Sequence, residues 1–336
     1  MTATTSQPAA ERTSFASRFM PRQPNRFIRA VAWIMLLAQS GIIMTGGTVR
    51  LTGSGLGCPT WPRCTEDSLT NTPEMGIHGY IEFGNRVLAI FLGLYCIFTL
   101  IAVWRMRRTR PEIFWSVIAL ALIVVSQAVV GGISVRMQLN PWIVASHFVP
   151  SAIAVAISAF MLRRTGDAGR PATPLGTPGL WMIGWVIGGL TALVVILGVL
   201  VTGAGPHAGD ALSARNGFDT VIISRLHAIP VWILVAATIA AVLMARRQGL
   251  TFPAKAFTVL LVIELAQGVI GYIQYFTGLP ELLVAAHLLG VCFMVAATTV
   301  AVDSLYRRPA LRDAEPAAPA AENRDAALTA SSRMPS

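Results

Sequence analysis

The sequence predicts an all-α polytopic membrane protein, with eight transmembrane helices in two pseudo-symmetric four-helix bundles and both termini cytoplasmic. Three observations predict it. Of 336 residues, 54% are hydrophobic and 12% charged, about half the ~25% charged fraction of ordinary soluble domains. The apolar residues gather into stretches of the ~20 residues that a helix needs to cross hydrocarbon. The second half of the chain also repeats features of the first. A soluble globular enzyme is thereby excluded, as is disorder over most of the chain.

Eight stretches rich in Leu, Ile, Val, Ala and Gly lie at about 27–48, 80–103, 113–135, 142–162, 179–202, 220–244, 254–276 and 282–304. Strand-like alternation is absent, which argues against a barrel. Residues 1–26 contain no apolar core of signal-peptide length. With about 307–336 they are Ala/Ser/Thr/Pro-rich and are expected to be disordered cytoplasmic tails. The expected division is a first bundle over 27–165, a cytoplasmic linker over 166–178 and a second bundle over 179–306. The net charge is +10, but its placement matters more than its sum. With the N-terminus inside, only Arg50, Arg63, Arg86, Arg136, Arg215 and Arg225 of the 26 basic residues fall outside. This bias fits a plasma-membrane protein with both termini cytoplasmic. The partner of these charges is the lipid bilayer, and no nucleic acid is needed to explain them.

The repeat is specific. Gln127, Gly131, Ile133, Ala145 and His147 recur at a single offset as Gln267, Gly271, Ile273, Ala285 and His287. Pro141 and Pro280 both stand where the following helix opens, a favoured place for proline. Thr52-Gly53-Ser54-Gly55 matches Thr202-Gly203-Ala204-Gly205. An even number of spans per half keeps both halves in one orientation, the parallel kind of repeat.

Of five histidines, His147, His227 and His287 lie just inside the outer ends of spans four, six and eight. Ionisable groups at membrane depth are costly and usually functional. Zinc would want a tetrahedral cluster with cysteines or carboxylates close by. Single histidines on separate helices in apolar surroundings suit heme, whose iron takes axial ligands from opposite helices. His227 and His287 are the best bis-histidine pair. In the first half the place of His227 is taken by Asn85, a poor iron ligand. Either His78, two turns before it, substitutes, or the iron keeps an open position. Glu82, on the same helix face as Asn85, could move protons or pair with Arg86 or Arg50. The residues alone favour neither role.

Cys96 and Cys292 sit inside apolar spans and read as small core residues. Cys58 and Cys64 share the first outer loop, on the side where disulfides persist. They are expected to bridge, and the sequence does not separate a structural bridge from a redox-active pair. His207, in the matching outer loop of the second half, is expected to be a solvated or propionate-contacting residue.

Over about 27–304 the chain resembles the heme A synthases. The resemblance rests on Gly46-Gly47-Thr48-Val49-Arg50-Leu51-Thr52-Gly53-Ser54-Gly55 running into the cysteine loop, and on Ile81-Glu82-Phe83-Gly84-Asn85-Arg86. His147, His227 and His287 fall where that family has its other three histidines. The resemblance implies oxidation of a heme O methyl group to a formyl group by two hydroxylations and loss of water. It implies that His227 and His287 ligate heme b, and that His147 stands on the iron of the substrate heme O. It makes Glu82 the important carboxylate, and Cys58 and Cys64 the pair of the subgroup that has one. Asn85 departs from the histidine many members carry. Arg50, Arg86 and Arg225 are candidate propionate anchors, and the electron donor is not named by the sequence. A heme O synthase is a plausible partner.

Two other classes compete. A bis-heme electron carrier between quinol and an acceptor would share the His227/His287 pair. A transporter or heme-handling scaffold would carry charged residues near mid-membrane in discontinuous helices, and none is evident.

Overall fold

The computed structural model describes residues 18–169 and 171–311. Eight helices run through it: α1 Arg26–Leu51, α2 Gly76–Val103, α3 Pro111–Arg136, α4 Pro141–Arg164, α5 Pro178–Ala204, α6 Thr220–Arg247, α7 Thr251–Phe276 and α8 Glu281–Asp303. All eight are long and apolar enough to cross a membrane, as the sequence predicts, and the chain is a multi-pass membrane protein. Helix starts follow local chemistry. The side chains of Asn25, Asn140 and Asp219 accept the N–H of Ile28, Trp142 and Ile222 at 2.9, 3.0 and 2.8 Å, satisfying donors that have no helical partner. Prolines occupy the first turns of α3, α4 and α5, where a missing N–H costs nothing.

The helices form two rings of four. α1 packs on α2 and α4, and α3 on the same two; α5 packs on α6 and α8, and α7 on the same two. In each ring the second and fourth helices therefore stand at opposite corners. The rings meet through α1 and α4 of the first against α8 of the second, with α4 also on α5. One buried apolar cluster gathers Ile28, Met35, Met106, Ile113, Leu120 and Met161 in the first ring. The other joins Leu180, Ile187, Leu234, Phe257 and Leu260 to Ile43 and Val155 across the junction. Outward faces carry Trp33, Leu37, Phe91, Leu94, Trp185 and Phe293, all exposed, as a surface facing lipid requires.

One face of this layer holds the Cys58–Cys64 loop (the loop face). The other holds both ends of the described chain (the terminal face). At the terminal face Asp303 accepts three arginines: Arg163 at 3.0 Å, Arg164 at 2.5 Å and Arg308 at 2.8 Å. Arg164 also pairs with Asp167 at 3.1 Å. Arg110 is fully buried between Glu112 and Asp167, and donates to the carbonyls of Arg164 and Asp167. The network ties α3, α4 and α8 together across the junction.

Two expectations are corrected here. The stretch 166–178 is not only a linker, because its Thr173–Pro174 strand (β1) pairs antiparallel with Tyr306–Arg307 (β2), Thr173 opposite Arg307. Residues up to 311 are likewise ordered: Ala168 N–H donates to the Pro309 carbonyl at 3.0 Å, and Asp167 bridges Ala310. Both corrections have one cause, the ionic network that draws the chain end onto the α3–α4 side. The expected N-terminal tail, 1–26, is described from residue 18, where Asn25 Nδ2 donates to the Arg18 carbonyl at 3.0 Å and the Phe19 ring meets that of Phe27; the rest of the expected disorder, 1–17 and 312–336, lies outside the described residues.

Replacing Asp303 by Asn takes from buried Arg164 one of its two anions, and from Arg163 and Arg308 the one they share. Breaking a buried ion pair costs about 3–5 kcal/mol. Thermal unfolding of the detergent-solubilised D303N protein is expected to show a lowered Tm relative to the unaltered chain.

Candidate functional site

His147, His227 and His287 each stand about two turns in from the loop-face end of α4, α6 and α8. α6 and α8 are opposite corners of the second ring. Each of the three rings lies against a glycine of the preceding helix. A Cβ built on Gly131, Gly198 or Gly271 would stand 3.3, 3.2 or 3.6 Å from Cε1 of His147, His227 or His287. In all three the buried Nδ1 has no hydrogen-bond partner, which is costly unless something else supplies one. Pro150 and Pro230 follow His147 and His227 by three residues inside their helices, and each removes a backbone donor beside the ring. Gln127 donates from Nε2 to the His147 carbonyl and, at 2.5 Å, to Ser151, fixing the turn that carries that histidine.

Three half-buried imidazoles with unpartnered Nδ1 atoms, each against a glycine, fit a heme. They do not suit an ion held by protein groups alone. Among the described residues no three of His, Cys, Asp and Glu cluster in a way that could hold one.

The fourth position differs. Asn85 on α2 is opposite α4 in the first ring, and its Oδ1 accepts the Thr45 hydroxyl at 2.7 Å. The offset that aligns Thr52 with Thr202 places Thr48, not glycine, where Gly198 stands. Neither the ligand nor the slot is repeated there. His78 is exposed near the start of α2, its Nδ1 engaged with Ser54 Oγ at 2.8 Å. The fold places it at the loop face, two turns from Asn85.

Glu82 is buried, and both its oxygens are taken. Oε2 accepts the Cys58 N–H at 2.7 Å, while Oε1 accepts Arg86 at 2.5 and 3.1 Å. Arg86 continues to the carbonyls of Cys58, Thr60 and Arg63. The pair thus grips the loop closed by the Cys58–Cys64 disulfide. From the other side Arg136 donates to the Trp61 carbonyl at 2.9 Å, and the Trp61 ring rests on Gly132. Of the two roles open to Glu82 in the sequence, the ion pair with Arg86 is present. Arg50 instead joins the halves, donating to the carbonyls of His207 and Thr202, and Arg225 is exposed on α6. His207 is not simply solvated: its Nε2 meets the Leu279 carbonyl at 3.0 Å, making it a strut between loops. Cys96 and Cys292 are buried free thiols.

The structure also shows a carboxylate that the sequence reading passed over. Glu264 stands midway along α7, 3% exposed, with one oxygen on Thr238 Oγ1 at 2.9 Å and the other unpartnered. It corrects the reading that no charged residue lies near mid-membrane. The signal was there, a single Glu in the middle of an apolar run.

The Glu82 grip generates a prediction. Glu82→Ala frees the Cys58 N–H and leaves Arg86 without its anion, so trypsin is expected to cut after the exposed Arg63 several-fold faster. Fragment analysis by gel or mass reads the rate, and an unchanged rate would mean that the disulfide and Arg136 hold the loop unaided.

Comparison with known proteins follows the same lines. The COX15-CtaA family model, described as cytochrome oxidase assembly protein, matches residues 29–221. A heme A synthase of Geobacillus thermodenitrificans is 29% identical over 136 residues, 40% of this chain and 42% of its own. One from Halalkalibacterium halodurans is 30% identical over 134 residues, 40% of this chain and 44% of its own. One from Bartonella bacilliformis is 23% identical over 251 residues, 64% of this chain and 68% of its own. The match thus spans about two fifths of the first two relatives and two thirds of the third. Since the family model covers more than half of its length, this chain belongs to the COX15-CtaA family of cytochrome oxidase assembly proteins.

Proposed function

We propose that this protein is a heme A synthase, which oxidises a methyl group of heme O to a formyl group by successive hydroxylations and so provides heme A for terminal cytochrome oxidases. The observation that carries the reading is the trio of histidines in glycine-lined slots with unpartnered Nδ1 atoms, two of them on opposite corners of one ring. Membership of the family supports it.

On this reading the second bundle, 179–306, holds heme b between His227 and His287. The first bundle, 27–165, takes heme O with His147 on its iron. Bound heme supplies one-electron redox chemistry and oxygen activation. The chain's own residues do the rest. Asn85, tied to Thr45, puts no imidazole on the helix that faces α4, so a substrate heme bound there would be held by the single histidine His147. Glu82 is the carboxylate that takes up a proton as the methyl group is oxidised, and Arg86 with the Cys58 N–H fixes its two oxygens. Arg225, two residues before His227 and exposed, is the guanidinium with most freedom to meet a propionate. Arg50 and Arg86 reach the same face while engaged with carbonyls. The terminal face is cytoplasmic, as the arginine distribution supports, and the membrane is the plasma membrane. A heme O synthase would deliver the substrate within the bilayer.

The deciding experiment extracts the hemes from membranes of a host that makes heme O but no heme A, with and without this protein. Hydroxylated heme O or heme A is expected only where the protein is present. If only heme O is found while the protein carries heme b and is supplied with a reductant, the protein is an electron carrier instead. Two variants test the assignments. His287→Ala is expected to abolish the low-spin heme signal in the optical spectrum. Glu82→Ala is expected to stop product formation, by at least tenfold, with that signal retained. Product formation by E82A would remove Glu82 from the chemistry and leave it the loop clamp alone.

A further inference from the structure

An ionised carboxylate in the middle of a membrane helix is tolerated only with a cation or several donors beside it. Glu264 has neither. Among the described residues it enters no ion pair; its one donor is the Thr238 hydroxyl, and Oε2 faces no partner. α7 packs on α6 and α8. The charged groups of those helices, Arg225, Arg246, Arg247, Glu281 and Asp303, stand near their ends, as does Lys255 on α7 itself. Away from the ends, the titratable groups are His227 on α6 and His287 and Cys292 on α8. The Cys292 thiol is turned to the Leu288 carbonyl. Without a positive charge in the same bundle Glu264 is tolerated only as the neutral acid; with one, the carboxylate becomes accessible.

Its surroundings point the same way. Gln267, one turn further toward the loop face on the same side of α7, also has a buried Oε1 without a partner. Its side chain presses on Gly290, one turn beyond His287 on α8. A line of polar side chains therefore runs from Thr238 through Glu264 and Gln267 to the helix that carries His287. The scaffold does not require it. In the first bundle the repeat puts Val124 at the position of Glu264, and Cys96 near that of Thr238. A bundle of the same architecture closes there with small or apolar side chains.

We infer that Glu264 is a proton-exchanging site of the second bundle, which takes up a proton when an electron enters that bundle and releases it when the electron leaves. The redox part rests on the reading of His227 and His287 as heme ligands. The balance is one electron and one proton. A one-electron reductant converts ferric iron to ferrous and is itself oxidised by one electron, while the Glu264 carboxylate gains a proton from the aqueous phase and becomes the acid. The charge of the bundle interior is unchanged. Thr238 lies three turns from His227 along α6, roughly 16 Å. A unit charge at that distance changes the proton occupancy about fivefold at an effective dielectric constant near 20. Ferric iron thus favours the carboxylate and ferrous iron the acid.

The test uses the full chain with its bound heme. Infrared difference spectra are taken between the oxidised and dithionite-reduced states, in H2O and in D2O. Reduction is expected to raise a carboxylic C=O band that shifts in D2O, is absent in Glu264→Gln and is displaced in Thr238→Val. The heme midpoint potential is expected to fall as pH rises, and to fall less steeply in E264Q. An E264Q spectrum and pH slope identical to those of the unaltered protein would overturn the assignment. Should E264Q fail to accumulate, T238V decides: a displaced band supports the site and an unmoved one overturns it. Purified protein without heme overturns the redox linkage and the heme reading together. Heme present with an unchanged E264Q spectrum overturns Glu264 alone.

Discussion

Asp303 is the point on which the two halves turn. Two helix rings in lipid gain little from apolar contact with each other, because hydrocarbon is as good a neighbour as leucine. Directional polar contacts must set their relation. At the terminal face, Asp303 at the end of α8 gathers Arg163 and Arg164 from the end of α4, and Arg308 from beyond its own helix. At the loop face Arg50 reaches the carbonyls of His207 and Thr202, and Gly55 N–H meets the Gly209 carbonyl at 2.8 Å. The junction is thus pinned at both ends, with the apolar contacts of Ile43 and Val155 between them. The slots that hold the histidines are built within each ring, and these joints set how the two rings stand to each other.

What could be read from the sequence follows the physics of each feature. The spans were legible because hydrocarbon thickness imposes a length and a composition. The histidines were legible because a polar side chain in such a span stands out, and because the repeat gave two of them the same address. The disulfide was legible from two cysteines on one short loop. Other features depend on contacts distant in sequence. Nothing local says that Glu82 would bond to the Cys58 N–H 24 residues away, or that Thr45 would hold Asn85. The pairing of Thr173–Pro174 with Tyr306–Arg307 is equally hidden, since two-residue strands have no periodicity. Glu264 is different: a lone Glu in the middle of an apolar run is visible in the sequence, but unlike His147 and His287 it has no counterpart in the repeat to mark it.

The repeat is informative where it breaks. Three of four equivalent positions pair an imidazole with a facing glycine, and the fourth has Asn85 and Thr48. Both members differ together there, so that corner accommodates something other than an imidazole against a glycine. The second bundle keeps two imidazoles and adds an interior carboxyl, while the first keeps one imidazole and places its carboxylate at the loop instead. On the proposed reading, the two bundles divide an electron-holding task from a task that needs a free coordination position.

The grip of Glu82 and Arg86 on the disulfide loop bears on how the molecule matures. The helices are specified within the bilayer and need no oxidant. The loop that presents the Cys58 N–H to Glu82 is also closed by the Cys58–Cys64 disulfide, so one tie of the clamp is made by oxidation of two thiols. A chain with both thiols reduced would keep its eight helices and lack that tie around its buried carboxylate. The scaffold and the clamp are thus completed by different chemistry.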